Sequence, residues 1–248
     1  TNSGASIQLL DTNSSIINRV DFQQSWYASD DKKNGGWSLE IIDPDNQCGR
    51  EYNWQASIDE KGGTPGQKNS VDRSNIDTKP ILLSELVPLS DFQILLKFSE
   101  GADETQLANP ANYTLKNIGN PINVLPDSLD LSKVVMEFKQ NMQTGESQKL
   151  TLKNLADYCG NVISDTTIDF TYYQPKLYDL VINEIMANPE PTVGLPVAEY
   201  IEIYNRSPYT IYLNGFTIAV GNSKKTITGG SIPSKGFALV AKSTVTDS

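Results

Sequence analysis

Short runs of alternating hydrophobic and polar residues fill most of the chain, and this period of two predicts half-buried β-strands. Two such runs, residues 7–10 and 16–20, flank the polar stretch 11–14, which predicts a hairpin turn. In residues 37–41 the large apolar side chains stand at every second position. We therefore expect Trp37, Leu39 and Ile41 to share one face of a strand, with Trp37 packed in the core.

The middle of the chain repeats short apolar runs at regular spacing, which is typical of a β-sandwich. The strands predicted there are 80–86, 92–98, 112–115, 134–138, 148–152 and 168–172. No stretch shows a convincing 3.6-residue period, and the best helix candidate is the short segment 104–107. Later strands are predicted at 180–182, 200–204, 211–213, 216–220 and 237–240. The pattern therefore predicts an all-β protein.

Composition excludes several classes of function. The formal net charge is −10 and Lys and Arg are not clustered, so the sequence argues against nucleic acid as a partner. No apolar run approaches the roughly 20 residues that span a bilayer, so we expect no membrane insertion. The chain has no histidine, which removes the usual general base and the commonest metal ligand. We therefore expect no enzyme activity, no cofactor and no metal site.

Four motifs follow one another near the C-terminus. They are Val-Ile-Asn-Glu-Ile-Met at 181–186, Glu-Tyr-Ile-Glu-Ile-Tyr-Asn at 199–205, Leu-Asn-Gly-Phe at 213–216 and Ser-Ile-Pro-Ser-Lys-Gly at 231–236. In this order, residues 178–248 resemble the first half of the lamin-tail domain, a small immunoglobulin-like sandwich that also occurs in secreted bacterial proteins.

Motifs in the rest of the chain carry two further resemblances. Residues 1–70 resemble the second half of the lamin-tail domain, through the motifs at 4–9, 25–27, 35–40, 43–46, 48–49, 53–54 and 62–66. Residues 71–177 resemble bacterial immunoglobulin-like domains of the S-layer and adhesin type, through 96–100, 110–115 and 155–163. These resemblances imply three parts, 1–70, 71–177 and 178–248, with the two lamin-tail halves in permuted order.

Half a sandwich leaves an apolar face and open strand edges, which are costly in water. The terminal halves should therefore complete each other, giving two immunoglobulin-like β-sandwiches, one of them assembled from the N- and C-terminal segments. They could join within one chain, which has the higher effective concentration if the linkers reach. They could also join between chains by half-domain exchange, as a head-to-tail filament or a ring. In a third arrangement the chain is a piece of a longer array of alternating modules.

Cys48 and Cys159 are the two cysteines. An even number in an exported protein suggests a disulfide, and each lies in a predicted loop beside a glycine. Two free buried thiols are the alternative, because the sequence does not reveal whether the Cα atoms lie roughly 4–7 Å apart. Four aspartates offer oxygen ligands that calcium prefers, but their spacing fits no EF-hand and turns explain them better. They are Asp30, Asp31, Asp43 and Asp45.

Trp26, Tyr27 and Trp54 are the candidate binding residues, because they could form a platform on which a sugar stacks. Packing in the hydrophobic core is the alternative interpretation of these aromatics, above all for Trp54. Glu184, Glu199 and Glu202 could be imagined as paired carboxylates for glycoside cleavage. Under the lamin-tail resemblance, however, Glu184 and Glu202 belong to the fold signature.

The resemblances imply a non-enzymatic structural or protein-interaction module of an exported or cell-surface bacterial protein. Its partners would be another protein, neighbouring modules of the same protein, or a second copy. A carbohydrate-binding module that uses exposed aromatics is the first alternative, with a glycan as its partner. A hydrolase that works with carboxylates alone is the second.

Overall fold

The computed structural model describes residues 4–46, 48 and 50–241, and the predicted all-β fold class is confirmed within them. Gly49 of the Cys-Gly motif and the ends of the terminal segments, residues 1–3 and 242–248, lie outside this part of the chain. None of the helices in the described ranges is long and apolar enough to cross a membrane. Below, the N-terminal segment is residues 4–70, the middle sandwich 71–177 and the C-terminal segment 178–241.

The N-terminal segment contains two separate antiparallel hairpin sheets, β1–β2 and β3–β4. Their strands are β1 (Gly4–Leu10), β2 (Ile16–Gln23), β3 (Leu39–Ile41) and β4 (Trp54–Ala56). The turn predicted between β1 and β2 forms because Asp11 Oδ1 accepts hydrogen bonds from the N–H groups of Asn13 and Ser15, each at 2.8 Å. Little of the surface of this hairpin is buried, since most of its residues are exposed.

The prediction that Trp37 packs in the core is wrong. The buried residue of β3 is Glu40, at 4% exposure, whereas Trp37, Leu39 and Ile41 are only half-buried. Alternation correctly separates the two faces of the strand but does not say which one is covered. The loop at 59–70 covers the Glu40 side and brings hydrogen-bond donors rather than an apolar surface, so the carboxylate is the residue that goes inside.

The middle sandwich is built from two antiparallel sheets of four and three strands, in the orders β5–β6–β9–β8 and β11–β10–β7. Its strands are β5 (Leu83–Pro88), β6 (Gln93–Phe98), β7 (Tyr113–Leu115), β8 (Asn123–Asp127), β9 (Asp130–Glu137), β10 (Ser147–Leu152) and β11 (Thr166–Thr171). The six strands predicted here all form. β8 is the one that the sequence analysis missed, and it contains Pro126, which the sheet tolerates because β8 lies at its edge.

Both sheets of the middle sandwich point large apolar side chains into a single core. Ile94, Leu96 and Met136 come from the four-stranded sheet, and Leu150 and Leu152 from the three-stranded sheet; all five are fully buried. The predicted short helix forms as α1 (Glu104–Leu107), and Asp103 caps it by accepting a hydrogen bond from the N–H of Gln106 at 2.9 Å.

The C-terminal segment forms three small antiparallel sheets: β12–β13–β18, β14–β17 and β15–β16. Its strands are β12 (Leu180–Met186), β13 (Tyr200–Asn205), β14 (Ile211–Tyr212), β15 (Thr217–Val220), β16 (Ser223–Thr226), β17 (Ser231–Ile232) and β18 (Phe237–Ala241). A small core of Ile211, Leu213 and Ile232 holds them together. Asn205 is fully buried beside it, and its amide donates to the carbonyls of Tyr209, Ile232 and Pro233 at 2.7–3.0 Å.

The terminal segments contact opposite ends of the middle sandwich. Arg19 of β2 donates to the carbonyl of Leu129, in the turn that precedes β9, at 2.7 Å. Tyr209 of the C-terminal segment packs beside Gly145, in the loop that follows β9. No described strand of the N-terminal segment hydrogen-bonds to one of the C-terminal segment. The structure therefore shows no strand pairing that would join the two halves within one chain, and their joining stays a prediction.

Candidate functional site

A covalent joint fastens the N-terminal segment to the middle sandwich. Cys48 and Cys159 form a disulfide with their Cα atoms 6.1 Å apart, across 111 positions of the sequence. Cys48 is buried, whereas Cys159 lies in the exposed loop that follows Asp157. Asp157 shapes this loop by accepting hydrogen bonds from the N–H groups of Cys159 and Asn161, at 2.8 and 2.9 Å.

Buried amides reinforce the joint. The side chain of Asn53 makes four hydrogen bonds, which is all that an amide group can make. Its Nδ2 donates to the carbonyls of Asp43 and Asn46, and its Oδ1 accepts from the N–H of Asp43 and from Nδ2 of Asn75, at 2.7–3.0 Å. The N–H of Asn75 in turn donates to Oδ2 of Asp43 at 2.7 Å. The chain entering the middle sandwich is thus tied back to the N-terminal segment.

An open acidic cleft of about 400 Å³ lies along this joint. It is lined by Asp43, Asp45, Asn46, Ile76, Asp77, Tyr158 and Cys159. Beside it, carboxylate oxygens of Asp77, Glu100 and Asp157 lie within 4.8 Å of one another. Oxygen ligands of this kind suit a hard cation such as calcium. The neighbouring group that includes the two cysteines cannot bind a metal as thiolates, because those sulfurs form the disulfide.

Two of the four aspartates considered as calcium ligands make other contacts: Asp43 stabilises a turn and Asp30 forms an ion pair. Asp43 accepts a hydrogen bond from the N–H of Asp45 at 3.1 Å. Asp30 pairs with Lys33 at 2.5 Å, and this hydrogen bond and charge lower the pKa of the exposed Asp30 carboxyl. Asp31 follows in the same loop and is exposed. The structure does not bring the pair at 30–31 and the pair at 43–45 into one cluster of ligands.

The structure brings two of the three candidate binding aromatics together. Trp26 and Tyr27 lie in a short 3-10 helix, Gln24–Tyr27, and Trp54 lies on β4. The ring centroids of Trp26 and Trp54 are 6.3 Å apart with the planes tilted by 35°, and both residues are half-buried. Trp37 stands apart from this pair, with the ammonium of Lys32 4.2 Å above its ring.

Glu184 and Glu202 are direct cross-strand partners on one face of the β12–β13–β18 sheet. Glu184 accepts a hydrogen bond from the hydroxyl of Tyr200, and Glu202 accepts one from Nδ2 of Asn183 at 2.6 Å. The bond to Glu184 raises the pKa of the Tyr200 phenol. Glu199 lies just before β13 and outside the sheet. Like charges directly opposite each other in a sheet repel, so these two donors offset part of that cost.

The β1–β2 hairpin has an apolar face that no described residue covers well. Cross-strand pairing places Ile7 opposite Val20 and Ala5 opposite Phe22, so these four residues share that face with Leu9. Ile7 is 60% exposed and Leu9 61%. The other face carries Arg19 and Asp21, which form an ion pair at 2.9 Å.

The β12–β13–β18 sheet has an uncovered apolar face of the same kind. Ile182 lies opposite Ile203, and Ile185 lies opposite Ile201, which is also paired with Val240. The small C-terminal core packs against Ile203 and Ala238 at one end of this face, but Ile182 and Ile185 remain 63% and 64% exposed. The opposite face carries the Glu184–Glu202 pair.

Sequence reasoning did not find Glu40, Asn53 or Asn205, the polar residues that hold the terminal segments in shape. Each is buried and makes several hydrogen bonds, but their partners lie up to 30 positions away. The local signal was weak. Asn205 stands in a strand-to-turn sequence, Tyr-Asn-Arg-Ser-Pro, where an asparagine is expected for its turn chemistry alone.

No known family and no curated protein matches the chain by sequence. Among solved structures it is similar to the N-terminal part of the bacterial S-layer protein SbsC, with 13% sequence identity, a TM-score of 0.36 and coverage of 66% of this chain and 41% of that one. Domains 1–6 of the surface layer protein SbsC give 10% identity and the same TM-score over 65% of this chain and 32% of that one. The chain thus spans less than half the length of these structures.

Proposed function

We propose that this chain is a non-enzymatic structural module of an exported or cell-surface protein, one that holds its neighbours at a set distance. The observation that carries the proposal is the joint at Cys48–Cys159, where a covalent bond fastens the N-terminal segment to the middle sandwich. The buried amide of Asn53 adds four hydrogen bonds beside it. A joint of this kind suppresses relative motion, because the covalent bond persists even when the hydrogen bonds open.

The disulfide also supports the proposed compartment. Disulfides form and persist in oxidising surroundings, such as the bacterial periplasm and the cell surface, and are rare in the reducing cytosol. Closing a loop of about a hundred residues stabilises a fold by about 4.7 kcal/mol in the chain-entropy account. A module that depends on this contribution is suited to conditions outside the cytosol.

The other end of the sandwich has its own joint, made without a covalent bond. The rings of Tyr173 and Tyr209 stack with centroids 4.5 Å apart. Tyr173 also donates a hydrogen bond to Asp179 Oδ2 at 2.7 Å, and this bond raises the pKa of the Tyr173 phenol to about 12. Contacts therefore restrain both terminal segments, as a spacer requires.

The uncovered apolar faces support neighbouring protein modules as the partners. Exposed apolar patches on soluble proteins commonly mark sites where other proteins bind. Here one patch lies on each terminal segment, beyond opposite ends of the middle sandwich. An element that is joined at both ends has this arrangement.

The test is to replace both cysteines, Cys48→Ser with Cys159→Ser, and to compare the variant with the oxidised wild type. We expect the N-terminal segment of the variant to be cleaved faster by protease, and its small-angle scattering to show a wider range of shapes. Wild type under reducing conditions is the control for the substitutions themselves. Equal protease resistance and equal scattering in all three samples would contradict a rigid joint and the spacer role built on it.

A further inference from the structure

The two uncovered faces resemble the two halves of one sandwich core. The hairpin face consists of Ala5, Ile7, Leu9, Asn18, Val20 and Phe22. The sheet face consists of Ile182, Ile185, Ile201, Ile203, Ala238 and Val240. Neither face carries an ionisable side chain; the charged residues of these strands lie on the opposite faces. Two sheets that pack face to face, about 10 Å apart, bury residues of this kind between them.

The hairpin is held so that its apolar face points away from its own molecule. Arg19 belongs to the opposite face, and its guanidinium donates to the carbonyl of Leu129 at 2.7 Å. That bond draws the polar face of the hairpin toward the turn at the start of β9. The face with Ile7 and Leu9, which are 60% and 61% exposed, is available to another molecule.

The two apolar faces of one molecule are not packed against each other, since Ile7 and Ile182 are 60% and 63% exposed. The hairpin is tied to the turn before β9, whereas the C-terminal segment packs on the loop after it, beside Gly145. β9 has eight residues, so it alone separates these ends by roughly 26 Å. The disulfide and the stacked tyrosines restrain each terminal segment at its own end.

We propose that the β1–β2 hairpin of one copy docks on the open face of the β12–β13–β18 sheet of a second copy. This inference rests on the proposed function, because it assumes that the two terminal segments bind neighbouring modules. It adds that the neighbouring module is a second copy of this chain. The docked surfaces differ from each other, so each added copy leaves one free surface of each kind. Such heterologous contacts propagate as a filament or close as a ring.

Single lysine substitutions test the inference, because the residues concerned are already exposed in the isolated chain. Ile7→Lys places a charge on the hairpin face, and Ile182→Lys places one on the sheet face. The matched controls lie on the opposite faces of the same elements: Ile17→Lys, at a position 62% exposed, and Leu239→Lys, at one 66% exposed. Sedimentation velocity over a wide range of concentration measures association. We expect the first two variants to weaken it at least tenfold and the controls to leave it unchanged.

Mixing the two defective variants provides the more specific test. The Ile182→Lys chain keeps an intact hairpin, and the Ile7→Lys chain keeps an intact sheet face. Each alone should sediment as a monomer, but the mixture should form a dimer that does not grow further, because its two remaining surfaces are defective. A mixture that stays monomeric, or controls that weaken association as much as the test variants, would overturn the proposed contact.

A wild-type chain that stays monomeric at every concentration would also overturn it, and some other protein would then have to cover the two faces. That result would leave the rigid joint intact. Conversely, the cysteine experiment can fail while the chain still assembles. The two proposals therefore have separate outcomes.

Discussion

Replacing Glu40 with glutamine should destabilise the N-terminal segment by an amount that depends on pH. The carboxylate accepts hydrogen bonds from the hydroxyls of Thr64 and Ser70, each at 2.7 Å, and from the N–H of Ser70 at 2.8 Å. Burial alone raises the pKa of Glu40, but these donors outweigh it and lower the pKa from 4.5 to about 2. In the Glu40→Gln variant an amide N–H group must face some of these donors.

The expected magnitude follows from the pKa. Each unit of difference between the folded and the unfolded pKa corresponds to about 1.4 kcal/mol, so the Glu40 carboxylate stabilises the fold by about 3 kcal/mol at neutral pH. Because the folded pKa is the lower one, the contribution is complete above pH 4.5 and disappears as the pH falls toward 2. Hydrogen bonds to a charged group, at about 1.5–3 kcal/mol each, give the same order of magnitude.

Urea unfolding followed by tryptophan fluorescence measures this effect in the right place, since Trp26, Trp37 and Trp54 are the only tryptophans and all lie in the N-terminal segment. The free energy of unfolding of the Glu40→Gln variant should lie about 3 kcal/mol below that of wild type at pH 7, and the gap should close near pH 2. Glu60→Gln, at an exposed position of the same segment, is the control. A gap that is absent at pH 7, or that does not change with pH, would refute the reasoning.

Two further substitutions separate packing from binding. Tyr113→Phe should lower the free energy of unfolding, followed by thermal unfolding, by about 1–3 kcal/mol. The buried hydroxyl of Tyr113 donates to the carbonyl of Leu107 at 2.6 Å, and its removal leaves that carbonyl without this donor. The control Tyr178→Phe, at an exposed position, should leave the stability unchanged. Trp26→Ala should lower stability by about 2 kcal/mol if the tilted pair with Trp54 serves packing. A variant of unchanged stability that loses binding to immobilised glycans would instead favour the carbohydrate-binding alternative.

The sequence predicted the middle sandwich well because its strands carry their signal locally. The run at 92–98 alternates cleanly, and its inward residues, among them Ile94 and Leu96, enter the main core as the period requires. β8 was not predicted because it contains Pro126, and proline usually argues against a strand. The sheet tolerates this proline because β8 lies at its edge. β16, Ser-Lys-Lys-Thr, has no apolar residue and therefore no periodic signal at all.

The terminal segments were harder to predict because distant contacts decide them. Which face of β3 is buried depends on Ser70, which is 30 positions from Glu40 and supplies donors that no local pattern reveals. Whether Cys48 and Cys159 form a disulfide likewise depends on how their two loops pack together. The sequence could therefore suggest the pair but not the distance between the two Cα atoms. Local patterns therefore predict the strands, whereas the hydrogen bonds between loops determine the candidate site.

The sizes of the two cores give the physical reason for expecting assembly. Within the described residues, the main core has 18 buried apolar residues, whereas the core of the C-terminal segment has three. Ordering the backbone of one residue costs about 1–2 kcal/mol in conformational entropy, and this segment has some 60 residues. Burial of so small a core offsets little of that cost. Fully burying an isoleucine that is now exposed contributes about 1.5–3 kcal/mol. Covering Ile182 and Ile185 would therefore stabilise the C-terminal segment itself, so that docking and folding at this end become one equilibrium that depends on the partner's concentration.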